Sequence, residues 1–379
     1  MVRKGLRMMI GITAAAALLG GCSAANSGSA ESTAAAQEAS TEAERAESTA
    51  APESSAAAES AENSDPAEKA EFSVITDAVR QSVDEMVYEN ADGQMVVSHK
   101  YGETVVPENP ERIVGLKLED LMLALGVDMV ACQNISGYYL EDEINALNIG
   151  TIAVDEESNT VNLEQVLSYE PDLIVIRDSF DQSVYDQLSG IAPTIAFDLQ
   201  TPVQSILALG KALGMEEQAE ARLEQYQAKI VDAREKLSAV DGQEVAMLRI
   251  MPKEIRLYPY SSNNMSKFLY DELALTPDPM AVAYDGSKNL AISMESLPDL
   301  TAEHIFVIAG YGTASAEQVE AARERYASIQ EDPLWQDVPA VKSGNIYEVD
   351  SRVWLTHGII AVERKIDDVL SYLAPENAE

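Results

Sequence analysis

Residues Pro202–Val240 read "PVQSILALGKALGMEEQAEARLEQYQAKIVDAREKLSAV", and this segment sets the architecture. Its second part repeats apolar side chains at steps of three and four residues, the spacing of one helix face, at Leu223, Tyr226, Ile230, Ala233 and Leu237. Gly210 and Gly214 interrupt the first part. The segment is long for a helix within one domain, and it lies midway between two series of strands and helices. It therefore predicts a helical connector between two lobes.

Short apolar strands alternate with amphipathic helices on both sides of this connector. Before it, "RIVGLK", "DMVACQ" and "DLIVIR" are predicted strands, and "LEDLMLALG" is a predicted helix. After it come the strands "EVAMLRIM", "HIFVIAG" and "NIYEVD" and a helix from Ile359 to Leu373. This alternation predicts an α/β fold with mainly parallel central sheets. We place the N-terminal lobe at 73–211, the interlobe helix at 212–240 and the C-terminal lobe at 241–379.

The start of the chain has the features of an export signal. Basic residues at positions 3, 4 and 7 precede an apolar run to Leu19 that is too short to span a membrane. The following "LGGC" resembles the lipobox of bacterial lipoproteins, whose cysteine is diacylated and becomes the new N-terminus. We therefore expect residues 1–22 to be a signal peptide and Cys22 to carry a lipid anchor on the extracytoplasmic face of the cell membrane. The alternative is an ordinary secretory signal with an incidental cysteine.

A spacer follows the signal. Residues 23–71 are nearly all Ala, Ser, Glu and Thr and contain no aromatic residue, so they cannot bury enough apolar surface to offset the entropy of ordering. We expect residues 23–72 to be a disordered tether, and the alternative is a fluctuating Ala/Glu helix.

Composition excludes several functions. The formal net charge of −38 argues against nucleic acid or an anionic bilayer surface as a partner. The sequence has three histidines and no G-x-S-x-G, so it offers neither a hydrolase triad nor the clustered ligands of a zinc or manganese importer.

If Cys22 is acylated, Cys132 has no partner for an internal disulfide and is expected to be a buried thiol. We expect a monomeric protein that is not an enzyme and has no cofactor or metal of its own.

Several motifs carry a resemblance to a known family. "PERIVGLKLEDLMLALGVDMVA", "NLEQVLSYEPDLIVI", "ISMESLPDLTAEHIFVI" and "DPLWQDVPAVKSGNIYEVD" resemble the lipoprotein substrate-binding subunits of ABC importers for iron(III)-siderophores. Related cobalamin- and haem-binding proteins share much of this pattern. The resemblance covers about Tyr101 to Ala374. It implies two α/β lobes joined by one rigid helix, with the ligand held in the cleft between them.

The same resemblance implies a docking role for two glutamates. In this family one glutamate on each lobe pairs with arginines of the membrane permease, and the matching positions are Glu164 in "VNLEQVL" and Glu295 in "ISMESLP". Both occur near the start of a predicted helix. The alternative is that each carboxylate simply stabilises the helix dipole.

Candidate ligand-binding residues follow the strands, because ligands of parallel sheets lie beyond the carboxyl ends of the strands. A siderophore supplies its own iron ligands, so the protein needs cations, hydrogen-bond donors and aromatic planes. The candidates are Lys117, Tyr139, Arg177, Arg249, Tyr258, Tyr260, Tyr311, Arg352 and Trp354. A tryptophan after the last strand resembles the hydroxamate-siderophore branch, which makes Trp354 the preferred contact.

Each candidate has a structural alternative. Lys117 and Arg177 could pair with carboxylates, and Arg249 could be a buried structural partner inside its strand. Tyr258 or Tyr260 could cap the hydrophobic core.

The ligand class follows from the number of cations. A ferric tris-catecholate is trianionic and calls for a dense basic cluster, whereas a ferric hydroxamate is neutral or positive. The candidate cations are few and mixed with tyrosines, so the sequence favours a hydroxamate-type siderophore. A haem or cobalamin ligand is the nearest alternative, because Tyr138, Tyr139 and His357 could serve haem. An anchored adhesion protein without a ligand is a third possibility. The expected partners are the ABC permease, its ATPase and the ferric siderophore.

Overall fold

The computed structural model describes residues 72–155, 158–261, 263–287, 290–310 and 316–374. The predicted signal peptide with Cys22, the spacer up to residue 71 and Tyr311 lie outside these residues. The described residues belong to one compact unit.

A small layer precedes the first lobe. It consists of α1 (Asp77–Met86), β1 (Val87–Glu89), β2 (Met95–His99) and β3 (Gly102–Val105). Thr76 Oγ1 accepts a hydrogen bond from the amide of Val79 and so caps α1. The three strands form an antiparallel sheet in the order β1-β2-β3. We did not predict this sheet from the sequence.

The N-terminal lobe is built on a five-stranded sheet in which every neighbouring pair is parallel. Its elements are β4 (Ile113–Leu116), α2 (Glu119–Leu125), β5 (Met129–Gln133), α3 (Glu141–Ala146), β6 (Gly150–Ile152), β7 (Val154–Asp155), β8 (Thr160–Val161), α4 (Leu163–Ser168), β9 (Leu173–Arg177), α5 (Gln182–Ser189) and β10 (Thr194–Phe197). β4 and β10 are buried along their whole length, as expected of strands covered on both faces. In the order β10-β9-β4-β5-β6, the chain winds outward in opposite directions from β4 and β9.

Two consecutive helices connect the lobes: α6 (Pro202–Leu213) and α7 (Glu216–Leu237). α6 ends at Gly214, whose φ of 68° lies in the left-handed region that favours glycine. The buried residues of α7 include all five side chains of the predicted apolar face, together with Ala219. The predicted long connector is therefore confirmed. Its 22 residues span about 33 Å.

The C-terminal lobe has a mixed sheet. Its elements, after a 3-10 turn at Ser238–Val240, are β11 (Glu244–Met251), β12 (Glu254–Leu257), α8 (Asn264–Ser266), a π-helical turn (Lys267–Glu272), β13 (Thr276–Pro277), α9 (Pro279–Ala283), β14 (Leu290–Ile292), a 3-10 helix (Met294–Asp299), β15 (His304–Ala309), α10 (Ala316–Gln330), α11 (Pro333–Gln336), α12 (Pro339–Ser343), β16 (Ile346–Glu348), α13 (Ser351–Trp354) and α14 (Ile359–Leu373). β15 pairs in parallel with both β11 and β16, whereas β12 pairs antiparallel with both β11 and β14. The two-lobed α/β fold with mainly parallel sheets is as predicted, but the hairpin of β11 and β12 was not.

Each lobe has a hydrophobic cluster of its own, and a third cluster spans both lobes. One cluster of buried side chains contains Leu121 of α2, Leu223 of α7, Phe306 of β15 and Ile366 of α14. α14, the last helix of the chain, packs against α2 of the other lobe and against α7. None of the helices in the described ranges is long and apolar enough to cross a bilayer.

Asp120 of α2 caps a helix of the opposite lobe. Its Oδ1 accepts a hydrogen bond from the amide of Ile360 at 3.0 Å, and its Oδ2 accepts one from the amide of Ala361 at 2.9 Å. These amides are at the N-terminus of α14, where backbone donors have no partner within the helix. A Cβ at Gly358 would lie 2.0 Å from Asp120 Cγ, so only glycine allows this approach. The Asp120 side chain thus ties the two lobes together.

We expect Asp120→Ala to lower the free energy of unfolding by at least about 3 kcal/mol, because it leaves several buried donors without an acceptor. Urea unfolding measures the loss. Asp332→Ala is the matched control, because Asp332 caps the surface helix α11 through the amide of Leu334 and its loss should cost only about 1 kcal/mol. Equal losses in the two variants would contradict the interlobe role.

Candidate functional site

A cavity of about 300 Å³ lies between the lobes. On the N-terminal side its wall contains Lys117 directly after β4, Gln133 at the end of β5 and Arg177 at the end of β9. Ligands of open parallel sheets bind where the winding direction reverses, and Lys117 and Arg177 flank that point between β4 and β9. On the C-terminal side the wall contains Arg249 of β11 and Arg352 of α13. The cavity therefore joins four of the predicted cations.

Lys117 is held in an unusual backbone conformation. Its φ of 62° is left-handed, which a non-glycine residue adopts only when its surroundings enforce it. Its amide donates to Glu119 Oε1 at 2.9 Å, and its Nζ donates to Asn159 Oδ1 at 2.7 Å. Glu119 Oε1 also accepts from the amide of Gln133 at 3.1 Å. The buried Glu119 carboxylate thus fixes the backbone at the ends of two neighbouring strands, β4 and β5.

Arg177 has hydrogen-bonding capacity left over. Its Nε is buried and has no hydrogen-bond partner among the described residues. A buried unpaired donor is costly, and this one belongs to a side chain that lines the cavity. A bound acceptor would remove that cost.

The two arginines that line the cavity from the C-terminal lobe have different surroundings. Arg249 Nε donates to the carbonyl of Gly310 at 3.1 Å. Arg352 forms an ion pair with Asp350 at 2.7 Å, and its Nη1 donates to the carbonyl of Gly137 in the other lobe at 2.5 Å. The charge of Arg352 is therefore partly neutralised within the protein.

Tyr138 and Tyr139 form an aromatic part of the wall. The two rings are in edge contact with centroids 4.8 Å apart. Tyr139 Oη donates to Asp120 Oδ2 at 2.7 Å, and Arg364 of α14 donates to the Tyr139 carbonyl. Burial raises the pKa of Asp120, whereas its hydrogen bonds oppose that shift. The tyrosine wall is thus connected to the interlobe cap.

Three of the predicted ligand contacts do not line this cavity. Tyr258 is buried in the core, and Tyr260 packs against it beside the ring of Tyr270. Trp354 is fully buried: its ring stacks on Phe306 with centroids 5.0 Å apart, and its Nε1 donates to Asp368 at 2.8 Å. α13 is one short turn, so Arg352 faces the cavity and Trp354 the core. The prediction that Trp354 contacts the ligand is therefore wrong for this cavity, and Tyr311 lies outside the described residues.

The sequence also pointed to Cys132 as a buried thiol and to His357 as a candidate haem ligand. Cys132 is buried on β5. Burial lowers the pKa of His357 to about 3, with Lys365 and Arg177 adding to the shift, so this imidazole is neutral at physiological pH. The second tryptophan of the chain, Trp335, packs edge-on against Tyr326 in the core. Within the described residues, no cluster of three or more His, Cys, Asp or Glu side chains could hold a metal ion.

Glu164 and Glu295 are both exposed, one on each lobe. Glu164 is in the first turn of α4, which Asn162 caps through the amide of Gln165. Glu295 is in the first turn of the 3-10 helix Met294–Asp299. Hydrogen bonds from its own amide and from the Ser293 hydroxyl lower the pKa of Glu295, so it stays charged. Both carboxylates are available to a partner, as the docking prediction requires.

The model of the periplasmic binding protein family matches residues 118–353, which is more than half of the chain. The chain belongs to the periplasmic binding protein family. Two lipoproteins of Bacillus subtilis (strain 168) are each 29% identical to it: YhfQ, named as a putative ABC transporter substrate-binding lipoprotein, and YfiY, named as a probable siderophore-binding lipoprotein. The alignments cover 74% and 73% of this chain and 88% and 86% of those proteins.

A solved structure has the same fold. Staphylococcus aureus SirA complexed with staphyloferrin B superposes with a TM-score of 0.62 at 26% identity, covering 73% of this chain and 98% of SirA. The members of the family are binding proteins, and this chain is not an enzyme.

We did not predict from the sequence the buried ionisable side chain that lies behind the cavity wall at Thr356. Lys365 of α14 is completely buried, and its Nζ donates to the carbonyl of Thr356 at 2.5 Å. Burial lowers the pKa of Lys365 to about 7, while the charges of Glu272 and Asp120 oppose the shift. The position of a lysine on the apolar face of the last helix was a signal that could have revealed it.

We expect the stability of the protein to rise with pH because of Lys365. A lysine in the unfolded chain titrates near 10.4, so between about pH 7 and pH 10 the unfolded state binds one proton more than the folded state. The free energy of unfolding then increases by about 1.4 kcal/mol per pH unit through this residue. Urea unfolding of the wild type and of Lys365→Met at pH 7, 8 and 9 gives the difference. A constant difference across this range would contradict the prediction.

Proposed function

We propose that this protein is the extracytoplasmic substrate-binding component of an ABC importer and that it captures a ferric siderophore. The observation that carries the proposal is the cavity between the lobes, lined by Lys117, Arg177, Arg249 and Arg352 together with two tyrosines. Such a lining suits a chelate that completes the coordination of its own iron and presents oxygen atoms outward. The names of YhfQ and YfiY and the staphyloferrin B bound to SirA support the assignment.

The cavity favours a chelate with negative charge. Four cationic side chains, Lys117, Arg177, Arg249 and Arg352, line a space of about 300 Å³. The sequence favoured a hydroxamate because its candidate cations are few and mixed with tyrosines, whereas in the structure all four candidate cations line one cavity. Relatives 25% identical to this chain include both an Fe(3+)-citrate-binding and an iron(3+)-hydroxamate-binding protein of Bacillus subtilis (strain 168), so the hydroxamate preference stays a prediction.

The chelate class can be measured directly. Ferric citrate serves as an anionic probe, ferrioxamine B as a hydroxamate probe and haemin as a test of the haem alternative, each followed by quenching of tryptophan fluorescence. Because four cationic side chains line the cavity, we expect ferric citrate to bind most tightly, contrary to the hydroxamate preference predicted from the sequence. Tighter binding of ferrioxamine B would favour the hydroxamate class, and binding of haemin alone would favour haem. If no probe binds, the proposed function is contradicted.

Arg177→Ala should weaken the binding of ferric citrate about ten- to hundredfold, because it removes a charge-assisted hydrogen bond to the chelate. Arg112→Ala is the matched control: Arg112 is exposed, lies in the same lobe before β4 and contacts the carbonyl of Tyr169 instead of the cavity. It should leave the dissociation constant unchanged. An equal effect of both substitutions would mean that only the total charge of the protein matters.

Delivery is proposed to occur through Glu164 and Glu295, which pair with arginines of the permease. Single exposed ion pairs are weak in water but strengthen where an interface excludes solvent. The double variant Glu164→Ala/Glu295→Ala should abolish uptake of iron by cells while the dissociation constant of the chelate is unchanged. Glu303→Ala, at another carboxylate of the C-terminal lobe, should leave uptake intact. Weaker chelate binding in the double variant would overturn the docking assignment.

We further propose that the protein is anchored to the outer face of the cell membrane through Cys22 and acts as a monomer. The "LGGC" motif at positions 19–22 supports the anchor, and the lipoprotein names of YhfQ and YfiY agree with it. The spacer at 23–72 and the lobe boundaries 73–211, 212–240 and 241–379 stay predictions of the sequence.

A further inference from the structure

We propose that Arg352 is a positioning residue, which holds the tyrosine wall of the cavity against the C-terminal lobe and does not act mainly as a contact for the ligand. The segment concerned, residues 134–141, follows β5 and is called the strap below. It contains Ile135, Tyr138 and Tyr139, all of which line the cavity. This inference refines the proposed function and rests on it for its binding measurements.

The geometry of Arg352 supports a holding role. Three nitrogens of its guanidinium group are engaged: Nε and Nη2 donate to the Asp350 carboxylate at 3.1 Å and 2.7 Å, and Nη1 donates to the carbonyl of Gly137 at 2.5 Å. Asp350 in turn accepts from the amide of Arg352 and so caps α13. Asp350, the N-cap residue of the helix that contains Arg352, therefore fixes the guanidinium group. Its remaining nitrogen, Nη1, points to the backbone of the other lobe.

The strap is shaped to receive this side chain. Gly137 has a φ of 75°, and a Cβ at this position would lie 2.7 Å from Arg352 Nη1. The atom it would meet is the end of a flexible side chain, so a methyl group would displace Arg352 without forcing the backbone apart. The amide of Gly137 also donates to Glu141 Oε2 at 2.6 Å, which closes the turn from within the strap.

A second arginine of the C-terminal lobe holds the other end of the strap. Arg364 donates to the carbonyl of Tyr139 and pairs with Glu143 in α3, and its guanidinium carbon lies 5.5 Å from the centre of the Tyr139 ring. The strap belongs to the N-terminal lobe by sequence but is attached at Gly137 and at Tyr139 to the C-terminal lobe. Arg352 is the more exposed of the two holds and the one beside the cavity.

This arrangement has a consequence for affinity. A wall that is already in place loses little conformational entropy when the ligand binds, whereas a released strap must be ordered at that moment. Releasing the strap should therefore speed dissociation more than it changes association, because most affinity differences among variants of one site lie in the dissociation rate. Loss of an arginine that attracts an anion from a distance would instead slow association.

Gly137→Ala and Arg352→Lys test the proposal, with Gly126→Ala as the matched control. Gly126 has nearly the same φ, 79°, but a Cβ there has no neighbour within 4 Å, so it reproduces the backbone strain without touching Arg352. Stopped-flow fluorescence with ferric citrate gives both rates. We expect Gly137→Ala and Arg352→Lys each to weaken binding about two- to tenfold through faster dissociation. The double variant should be no weaker than the weaker single variant, and Gly126→Ala should bind like the wild type.

The results that would overturn the proposal are equally specific. If Arg352→Lys binds ferric citrate like the wild type, the positive charge at this position is sufficient for binding. If Gly137→Ala has the same rates as Gly126→Ala, the contact between Arg352 and Gly137 does not affect binding. Additive losses in the double variant would lead to the same conclusion.

Hydrogen exchange separates this inference from the proposed function. In the protein without any chelate, amides of the strap should exchange faster in Gly137→Ala and Arg352→Lys than in the wild type or Gly126→Ala. Unchanged exchange would overturn the inference even if ferric citrate binds. If no ferric chelate binds the wild type but exchange rises as expected, the proposed function fails and the hold on the strap is supported.

Discussion

The relation between the two lobes depends on one buried carboxylate. Asp120 is in the first turn of α2, and its carboxylate accepts hydrogen bonds from the amides of Ile360 and Ala361, which belong to a helix of the other lobe. A charged acceptor at a helix N-terminus is favourable because the amides there are unpaired and carry partial positive charge. Burying it is costly unless all its bonds are made, and Tyr139 supplies the third. The Asp120 carboxylate thus holds the two lobes together and also holds the tyrosine wall. The shape of the cavity therefore follows from the packing of the lobes.

Hydrophobic packing, more than ion pairing, keeps the two lobes in a fixed position relative to each other. Arg222 and Lys229 of α7 pair with Glu363 and Asp367 of α14, but partly exposed pairs of this kind contribute at most about 1 kcal/mol each. The apolar face of α7, by contrast, is buried against α14 and α2 in a core that both lobes share. Opening the cleft widely would expose that core. Such a body presents a preformed cavity, and what can still move is a segment such as the strap, which is held by individual hydrogen bonds.

The sequence predicted the features that depend on local pattern. The face of α7 follows from a spacing of three and four residues, and Lys117 and Arg177 follow from the rule that ligands lie beyond the carboxyl ends of parallel strands. Features that join distant residues were not accessible: Asp120 and Ile360 are 240 positions apart, and no local pattern links them. The position of Trp354 after the last strand was read correctly, but in a helix of one turn its neighbour Arg352 faces the cavity and the tryptophan faces the core. The antiparallel strands β1, β2, β3 and β12 are short and were missed within a pattern dominated by parallel strands.

The contrast between the chain and its cavity bears on how an anionic chelate could be captured. The chain as a whole carries a formal charge of −38, which would repel an anion at long range. At physiological salt, however, charges separated by more than about 8 Å are largely screened, so a ligand near the cleft experiences mainly the side chains of the cavity. There the low-dielectric walls strengthen the attraction of the cationic side chains that line the cavity, and Arg352 is in addition paired with Asp350. Selectivity for the charge of the ligand is therefore a local property of the cavity. Each arginine of the cavity has a role that depends on the acceptors that the fold places beside it.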